Sequence, residues 1–472
     1  AVKTSPKDDE ILMIVEIYSS GSRAPVNSNL LNESWVEKIG YGRITSNGMR
    51  QQYNLGAHIR NTYSELFNRI VDMSMVRVLS SGRSRSLISA ISHNHGLFPA
   101  SSKPLSSEKE IADVVKSLSH HPPMWNTKKN LRTSLRGELL SEPVAVPLET
   151  VDQFKDYMFL PRIDKACPLA KAIRDNYREG NLNKQLYTLQ PFIEDLHKAL
   201  HSINPDLVTN FASAQNMTEN TNVINHLYDV FTCSLYENGV LPQGVSTTLY
   251  SHLQSLASGY FMLKFEQSDI LRLYTDRIIR IILEEMDRRI GVEMDREGRD
   301  VEDEDKGLGY LGFSGDDDTV GALLQLFGVS SSECLFRKLG QVRRDAPKVS
   351  GEGGLPLETE LCYPIPPFSS SIVFELYKPP QGELSVRLVY NSLPLLRSAA
   401  DSTMPYSLFK RILSERGQLL DFSALCGNIH YEYMKRGSYS LLIIIIALGI
   451  CCVRAGYLKM RREVNKRINK YK

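Results

Sequence analysis

The sequence predicts an α/β chain: an open sheet with helices on both faces, a helical cap, and one C-terminal transmembrane helix. Three observations carry that expectation. A strand pattern, a Ser/Gly-rich loop and a helical pattern follow one another three times, beginning at Ile11, Met75 and Tyr310. The stretch from about residue 127 to 283 has helical spacing almost throughout. An uncharged run, Tyr439 to Val453, stands directly before a basic segment.

Taken in order, Ile11–Ile17 (ILMIVEI) is nearly all apolar, as a strand covered on both faces requires. It enters the loop Tyr18-Ser19-Ser20-Gly21-Ser22-Arg23-Ala24-Pro25. Met75–Leu79 (MVRVL) leads through Ser80-Ser81-Gly82 to a helix marked by Leu87, Ile88 and Ala90. Tyr310–Phe313 leads through Ser314-Gly315-Asp316-Asp317-Asp318 to a helix carrying Val320, Leu323, Leu324 and Phe327. In open α/β sheets such loops gather at the carboxyl ends of the strands, where ligands bind.

Ala170–Tyr177, Phe192–Ile203 and Ile270–Met286 are the clearest helices of the cap. Residues 287–306 are dense in charge and 340–361 mix Gly, Pro and charge, so both are expected as surface loops. Ser371–Tyr377 and Leu384–Tyr390 have the composition of a hairpin. The expected division is 1–126 and 284–430 for the two parts of the sheet domain, with an insertion near 330–362. The cap is 127–283, the span 438–453 and the basic tail 454–472.

The formal net charge of +2 averages two unlike parts. Residues 454–472 hold eight basic residues and one acid, whereas the preceding 453 residues carry a net charge of −5. That balance argues against nucleic-acid binding through bulk positive charge. With 42% hydrophobic residues the chain is not a disordered one. A bilayer span takes about 20 apolar residues, and YSLLIIIIALGICCV approaches this once Gly437 and Ser438 are added and Arg454 and Lys459 snorkel. A buried core helix would have the same composition, but the basic segment that follows favours the span. The positive-inside rule puts the tail in the cytosol, or in the matrix of a mitochondrial inner membrane. The lipid bilayer is therefore one expected partner, and its anionic head groups suit the tail.

Two sequons, at Asn32 and Asn216, suit a secretory route with glycosylation. Cys167, Cys233, Cys334, Cys362 and Cys426 precede the span without any CxxC spacing, which fits disulfides better than zinc. His93 with His95, and His120 with His121, are the His groupings, and neither has a ligand set beside it, so no metal is expected.

Several segments together resemble the histidine acid phosphatases, in their lysosomal and prostatic form. Tyr18–Pro25 (YSSGSRAP) resembles RHGxRxP at the end of that family's first strand. Ile44–Gln51 (ITSNGMRQ) with Leu55-Gly56 is similar to its LTxxGMxQ...LG helix, and Arg85–Ala90 (RSLISA) to its RTLMSA helix. Phe313–Val320 (FSGDDDTV) stands where the family has YSxHDTT(V/L). The resemblance runs in order over residues 11–426.

It implies a chemistry in which one His attacks phosphorus, flanking Arg residues hold the phosphoryl oxygens, and an Asp protonates the leaving group. Position by position, Ser20 stands at the nucleophilic His and Ser19 at the first Arg. Leu79 stands at the Arg ending the second strand, and Asp316 at the His of the His-Asp pair. Arg23 and Asp317 match. The resemblance therefore implies a degenerate pocket, a pseudoenzyme without cofactor, and a structural or binding role such as an accessory subunit of a homo-oligomer or membrane complex. A phosphate dianion is expected to meet one Arg and up to three consecutive carboxylates, and to be repelled. It further implies a disulfide between Cys167 and Cys426. The family's partner position for Cys233 holds Ser371, so the pairing of Cys233, Cys334 and Cys362 stays open in the sequence, with Cys334 and Cys362 as candidate partners for Cys233.

The competing expectation is an active phosphohydrolase with a rebuilt site. Ser20 as nucleophile needs an adjacent base, and no His lies near it in sequence. Asp316–Val320 also satisfies DxDx(T/V), the nucleophile motif of haloacid-dehalogenase phosphatases, in which carboxylates hold Mg²⁺. A plainer role for that loop is to place acids at the N-terminus of the next helix.

Overall fold

The computed structural model describes residues 10–26, 34–70, 73–99, 145–153, 156, 158–159, 167, 183–203, 205, 217–296, 307–341, 362–395 and 403–416. Strands β1 (Glu10–Tyr18), β2 (Val76–Ser80), β3 (Leu148–Thr150), β4 (Tyr310–Ser314), β5 (Ser371–Lys378), β6 (Ser385–Tyr390), β7 (Leu393–Pro394) and β8 (Thr403–Pro405) form one sheet. Their order is β3-β2-β4-β1-β5-β6-β7, with β8 beside β6. β1, β2 and β4 are the three expected strands, and they lie parallel to one another. Tyr18 and Ser80 both stand level with Ser314, so the three Ser/Gly loops leave the sheet at one edge. The expected hairpin is present as antiparallel β5 and β6.

The apolar run of β1 is explained by what covers it. The short helix α1 (Ser34–Ile39) leads to α2 (Ser46–Thr62), which with α3 (Ser64–Arg69) and α4 (Ser84–Leu97) covers one face and brings Ile59, Leu66, Phe67, Ala90 and Leu97 against Ile14. The other face takes α8 (Ser268–Arg296), α9 (Asp317–Leu326) and α11 (Tyr406–Arg416), whose Ile278, Ile282, Leu323, Leu324 and Phe409 pack on Val15 and Ile17. Helices therefore lie on both faces, as expected. The α2–α4 contact depends on a glycine: a Cβ on Gly56 would lie 2.1 Å from the carbonyl oxygen of His93.

In the cap, α5 (Asn183–Ile203), α6 (Met217–Asn238) and α7 (Thr247–Met262) share a core of their own, with Leu200, Ile224, Leu227, Phe231, Leu253 and Leu256. Of the helices expected there, Ala170–Tyr177 lies outside the described residues. α8 departs from the sequence expectation. It continues to Arg296, into the first half of the segment 287–306 expected as a loop, and crosses the expected cap boundary at 283; residues 297–306 lie outside the described ones. Its charges find partners on the sheet: Arg289 donates to the carbonyl of Leu12 at 3.2 Å, and Glu293 pairs with Lys378 at 3.1 Å. Pairing of that kind removes the reason for a charged segment to leave the helix.

The cysteines resolve a pairing that the sequence leaves open. Cys334, in α10 (Ser332–Gln341), is bonded to Cys362, and Cys233 is a buried free thiol rather than a partner of either. The bond fastens the expected insertion at both ends. Cys167 is disulfide-bonded; Cys426, its expected partner, lies outside the described residues. Among the described residues no helix is long and apolar enough to cross a membrane. The run 438–453, the tail 454–472, Asn32, Asn216, His120 and His121 all lie outside them.

Candidate functional site: a charged pocket at the sheet edge

Each wall of the pocket comes from a different element. The loop after β1 supplies Ser19, Ser20 and Arg23; the N-terminus of α9 supplies Asp317. The cap contributes Asn225, Tyr228, Asp229 and Thr232 from α6, with Phe261 and Lys264 at the end of α7, and the segment before β5 adds Ile365 to Phe368. They enclose a cavity of about 200 Å³.

The loop after β1 is tightly held. The Ser19 hydroxyl donates to the carbonyl of Pro367 at 3.1 Å and accepts from the Ser370 amide at 3.0 Å. Gln52 donates to the Ser19 carbonyl at 2.8 Å. A Cβ on Gly21 would meet the Gly48 carbonyl oxygen at 2.2 Å, so the loop and the start of α2 touch backbone to backbone. That contact gives a physical reason for Gly in both resembling motifs.

Arg23 is fastened on every side. Its guanidinium pairs with Asp229 at 2.8 Å, lies 5.5 Å from the centre of the Phe368 ring, and approaches the Cys233 sulfur at 3.6 Å. The second oxygen of Asp229 accepts from the Val26 amide at 2.8 Å. Burial works against the charge on Arg23, but Asp229 and then the Cys233 sulfur outweigh it and raise its pKa.

Two residues of the expected pocket lie elsewhere. Leu79 is buried in the sheet core with Phe313 and Ile17, where an apolar side chain belongs. Asp316 faces away from the cavity lining and takes Arg83 at 2.8 Å and Arg85 at 2.9 Å, while standing at the N-cap of α9. Asp318 pairs with Lys264 at 2.8 Å, and the Lys264 ammonium sits 4.6 Å from the Phe261 ring centre. Of the three consecutive carboxylates expected to meet a phosphate, Asp317 alone lines the cavity, and among the described residues the charged lining is Arg23 and Lys264 against Asp229 and Asp317.

Residues 14–391 match the family model described as the histidine phosphatase superfamily, branch 2. The chain belongs to that superfamily.

Among its relatives, the prostatic acid phosphatase of Rattus norvegicus is 24% identical over 254 residues, covering 52% of this chain and 54% of that protein. This match spans about half the length of the relative. The lysosomal acid phosphatase of Xenopus laevis is 21% identical over 461 residues, covering 94% of this chain and 85% of the relative. Among solved structures, the Hafnia alvei phytase in complex with myo-inositol hexakis sulphate superposes with a TM-score of 0.55 at 12% identity, covering 87% of this chain and 98% of that one. That likeness speaks to the fold.

For this member of the superfamily, the described residues bring no His to the cavity. His93 is fully buried, stacked on Tyr18 at 4.4 Å and 3.1 Å from Glu16, and is not part of the cavity lining. The carboxylates of the acidic loop are drawn to different cations, and no cluster of three or more metal-ligating side chains occurs among the described residues. Burial raises the pKa of Asp317, but Lys264, Arg23, Arg85 and Arg83 outweigh it and hold the carboxyl below its ordinary value. Burial pushes the Cys233 thiol up, against the pull of Arg23, which leaves it a poor nucleophile.

Asp229 and Lys264 have no motif in the sequence to mark them. Arg83 stands two residues before the RSLISA segment and is marked only by its charge.

Proposed function

We propose that this chain is a binding member of the histidine phosphatase superfamily that has lost phosphohydrolysis, tethered to a membrane by residues 438–453 with its tail on the cytosolic side. It acts as an accessory subunit in a membrane complex of the secretory or endolysosomal route. One observation carries the loss of activity: Arg23, the matching phosphate-binding position, is held by Asp229 and covered by Phe368. Ser19 and Ser20 stand where the resemblance puts an Arg and the nucleophile, so neither grip nor attack on a phosphoryl group remains. The resemblance to lysosomal acid phosphatases supports the compartment.

The test is turnover of an aryl phosphate by the purified full-length chain at acidic and neutral pH, with and without Mg²⁺. No turnover above a heat-treated control is expected. Turnover lost in Ser20→Ala or Asp316→Asn would establish the rebuilt enzyme instead. Partners recovered with the chain from native membrane test the subunit role; recovery of the chain alone speaks against it.

A further inference from the structure

The pocket retains polar groups that the ion pairs do not use. Among the described residues, the Asp317 carboxylate makes no ion pair within 4.0 Å and its side chain has no hydrogen-bond partner. The Ser20 hydroxyl and the Asn225 amide likewise line the cavity without a side-chain partner. All three face a cavity whose walls include the aromatic rings of Tyr228, Phe261 and Phe368. Resting on the binding role argued above, we propose that this pocket takes an uncharged polyhydroxylated ligand, a saccharide ring, in place of a phosphate ester.

Charge selects among ligand classes. Among the described residues the cavity lining carries two cations and two carboxylates, and Arg23 and Lys264 each already hold a carboxylate. A phosphate dianion has to displace Asp229 from Arg23 or Asp318 from Lys264 to find a cation, leaving the displaced carboxylate unpaired in a partly buried site. An organic ammonium ion meets Arg23 and Lys264, both in the lining. A neutral ligand leaves every pair in place.

Chemistry then selects among neutral ligands. Asp317 is held ionised, so it accepts hydrogen bonds and donates none; it calls for hydroxyl donors. Ser20 both donates and accepts, and Asn225 offers an amide, so adjacent hydroxyls on one ligand can be met from two sides. Phe261 and Phe368 offer apolar surface to the C–H face of a ring, whereas a fully apolar ligand would leave Asp317 desolvated and unpaired. A volume near 200 Å³ holds a small ligand rather than a chain of sugars.

Saturation-transfer NMR on the full-length chain in detergent micelles tests the proposal. The probes are glucose, mannose, N-acetylglucosamine and myo-inositol, with inorganic phosphate and ethylammonium as the charged alternatives. At least one saccharide or cyclitol is expected to bind, with affinity reduced about tenfold in Asp317→Asn, the scale of one charge-assisted hydrogen bond. Phe368→Ala is expected to weaken it too, and Ser20→Ala more mildly. Phosphate and ethylammonium are expected not to displace the bound sugar. Silence of all four neutral probes, binding by phosphate or ethylammonium instead, or sugar binding untouched in both Asp317→Asn and Phe368→Ala overturns the proposal. Turnover of a phosphate ester would sink the binding role itself; silent sugars without turnover sink only this occupant.

Discussion

Two charged clusters in this molecule differ in what they leave over. Across β5 and β6, Glu375 is sealed in the sheet: it accepts from Arg387, from Tyr63 at 2.6 Å and from Tyr377 at 3.0 Å. Both ends of that pair are nearly inaccessible. The pocket cluster at the other side of β1 also pairs carboxylates with cations, Arg23 with Asp229 and Lys264 with Asp318. There, however, Asp317 faces a cavity with no ion-pair partner among the described residues, and Lys264 is about one-third exposed. A closed network pins strands together, because removing one member strands the other in a region of low dielectric. An open one with a carboxylate to spare is poised to accept a ligand.

The sharpest way to break this contrast is to open the closed cluster. Arg387→Met leaves Glu375 buried without a cation and is expected to cost about 3–5 kcal/mol, read from denaturant unfolding. Arg387→Met together with Glu375→Leu should recover most of the loss, since Glu375 is then no longer a buried carboxylate without its cation. If the single change is nearly neutral, the cluster is not a structural pin.

Freeing the fastened guanidinium of the pocket comes next. Asp229→Asn removes the charge-assisted partner of Arg23 and is expected to cost about 1.5–3 kcal/mol. It should also create phosphate binding that the parent lacks, measurable by calorimetry. Phosphate binding that is equal in parent and variant would show that Arg23 was never sequestered. A comparison outside both clusters calibrates the scale: Gly56→Ala forces α2 away from the His93 carbonyl and is expected to cost about 1–3 kcal/mol without altering ligand binding.

The smallest expected effect is in the pH dependence. The folded-state pKa of Asp317 lies below its ordinary value, so its ionised form contributes stability above the unfolded-state pKa, about 3.9. That contribution is lost as the pH falls through the folded-state value. Thermal unfolding of Asp317→Asn should therefore decline less steeply below about pH 4 than that of the parent. Parallel profiles would mean that the four cations do not act on this group.

Much of the fold was legible because it rests on local signals. The apolar run of β1, the Ser/Gly loops and the spacing of Val320, Leu323 and Leu324 each follow from chain segments shorter than about twenty residues. α8 was misjudged at its end because Arg289 and Glu293 look solvent-exposed until the sheet that pairs them is in place. The charge of the site was misjudged for the same reason. Val26 and Asp229 are 203 residues apart, and no spacing rule connects them. Arg83 and Asp316 are 233 apart, and they meet because β2 and β4 are neighbours in register.

The sequence by itself determined the α/β class and the three strand–loop–helix units whose loops are rich in Ser and Gly. These depend on side-chain periodicity and on residue identity, both of which are local. Only the tertiary structure decided which charges cancel, that Arg23 is held by a helix of the cap, that Cys233 is left a free thiol, and that Asp317 alone of the acidic loop faces the cavity, with no ion-pair partner among the described residues. Those outcomes depend on distance in space. Coulomb attraction and desolvation are set by what packs beside a group, and the strand order of the sheet and the cap above it choose those neighbours.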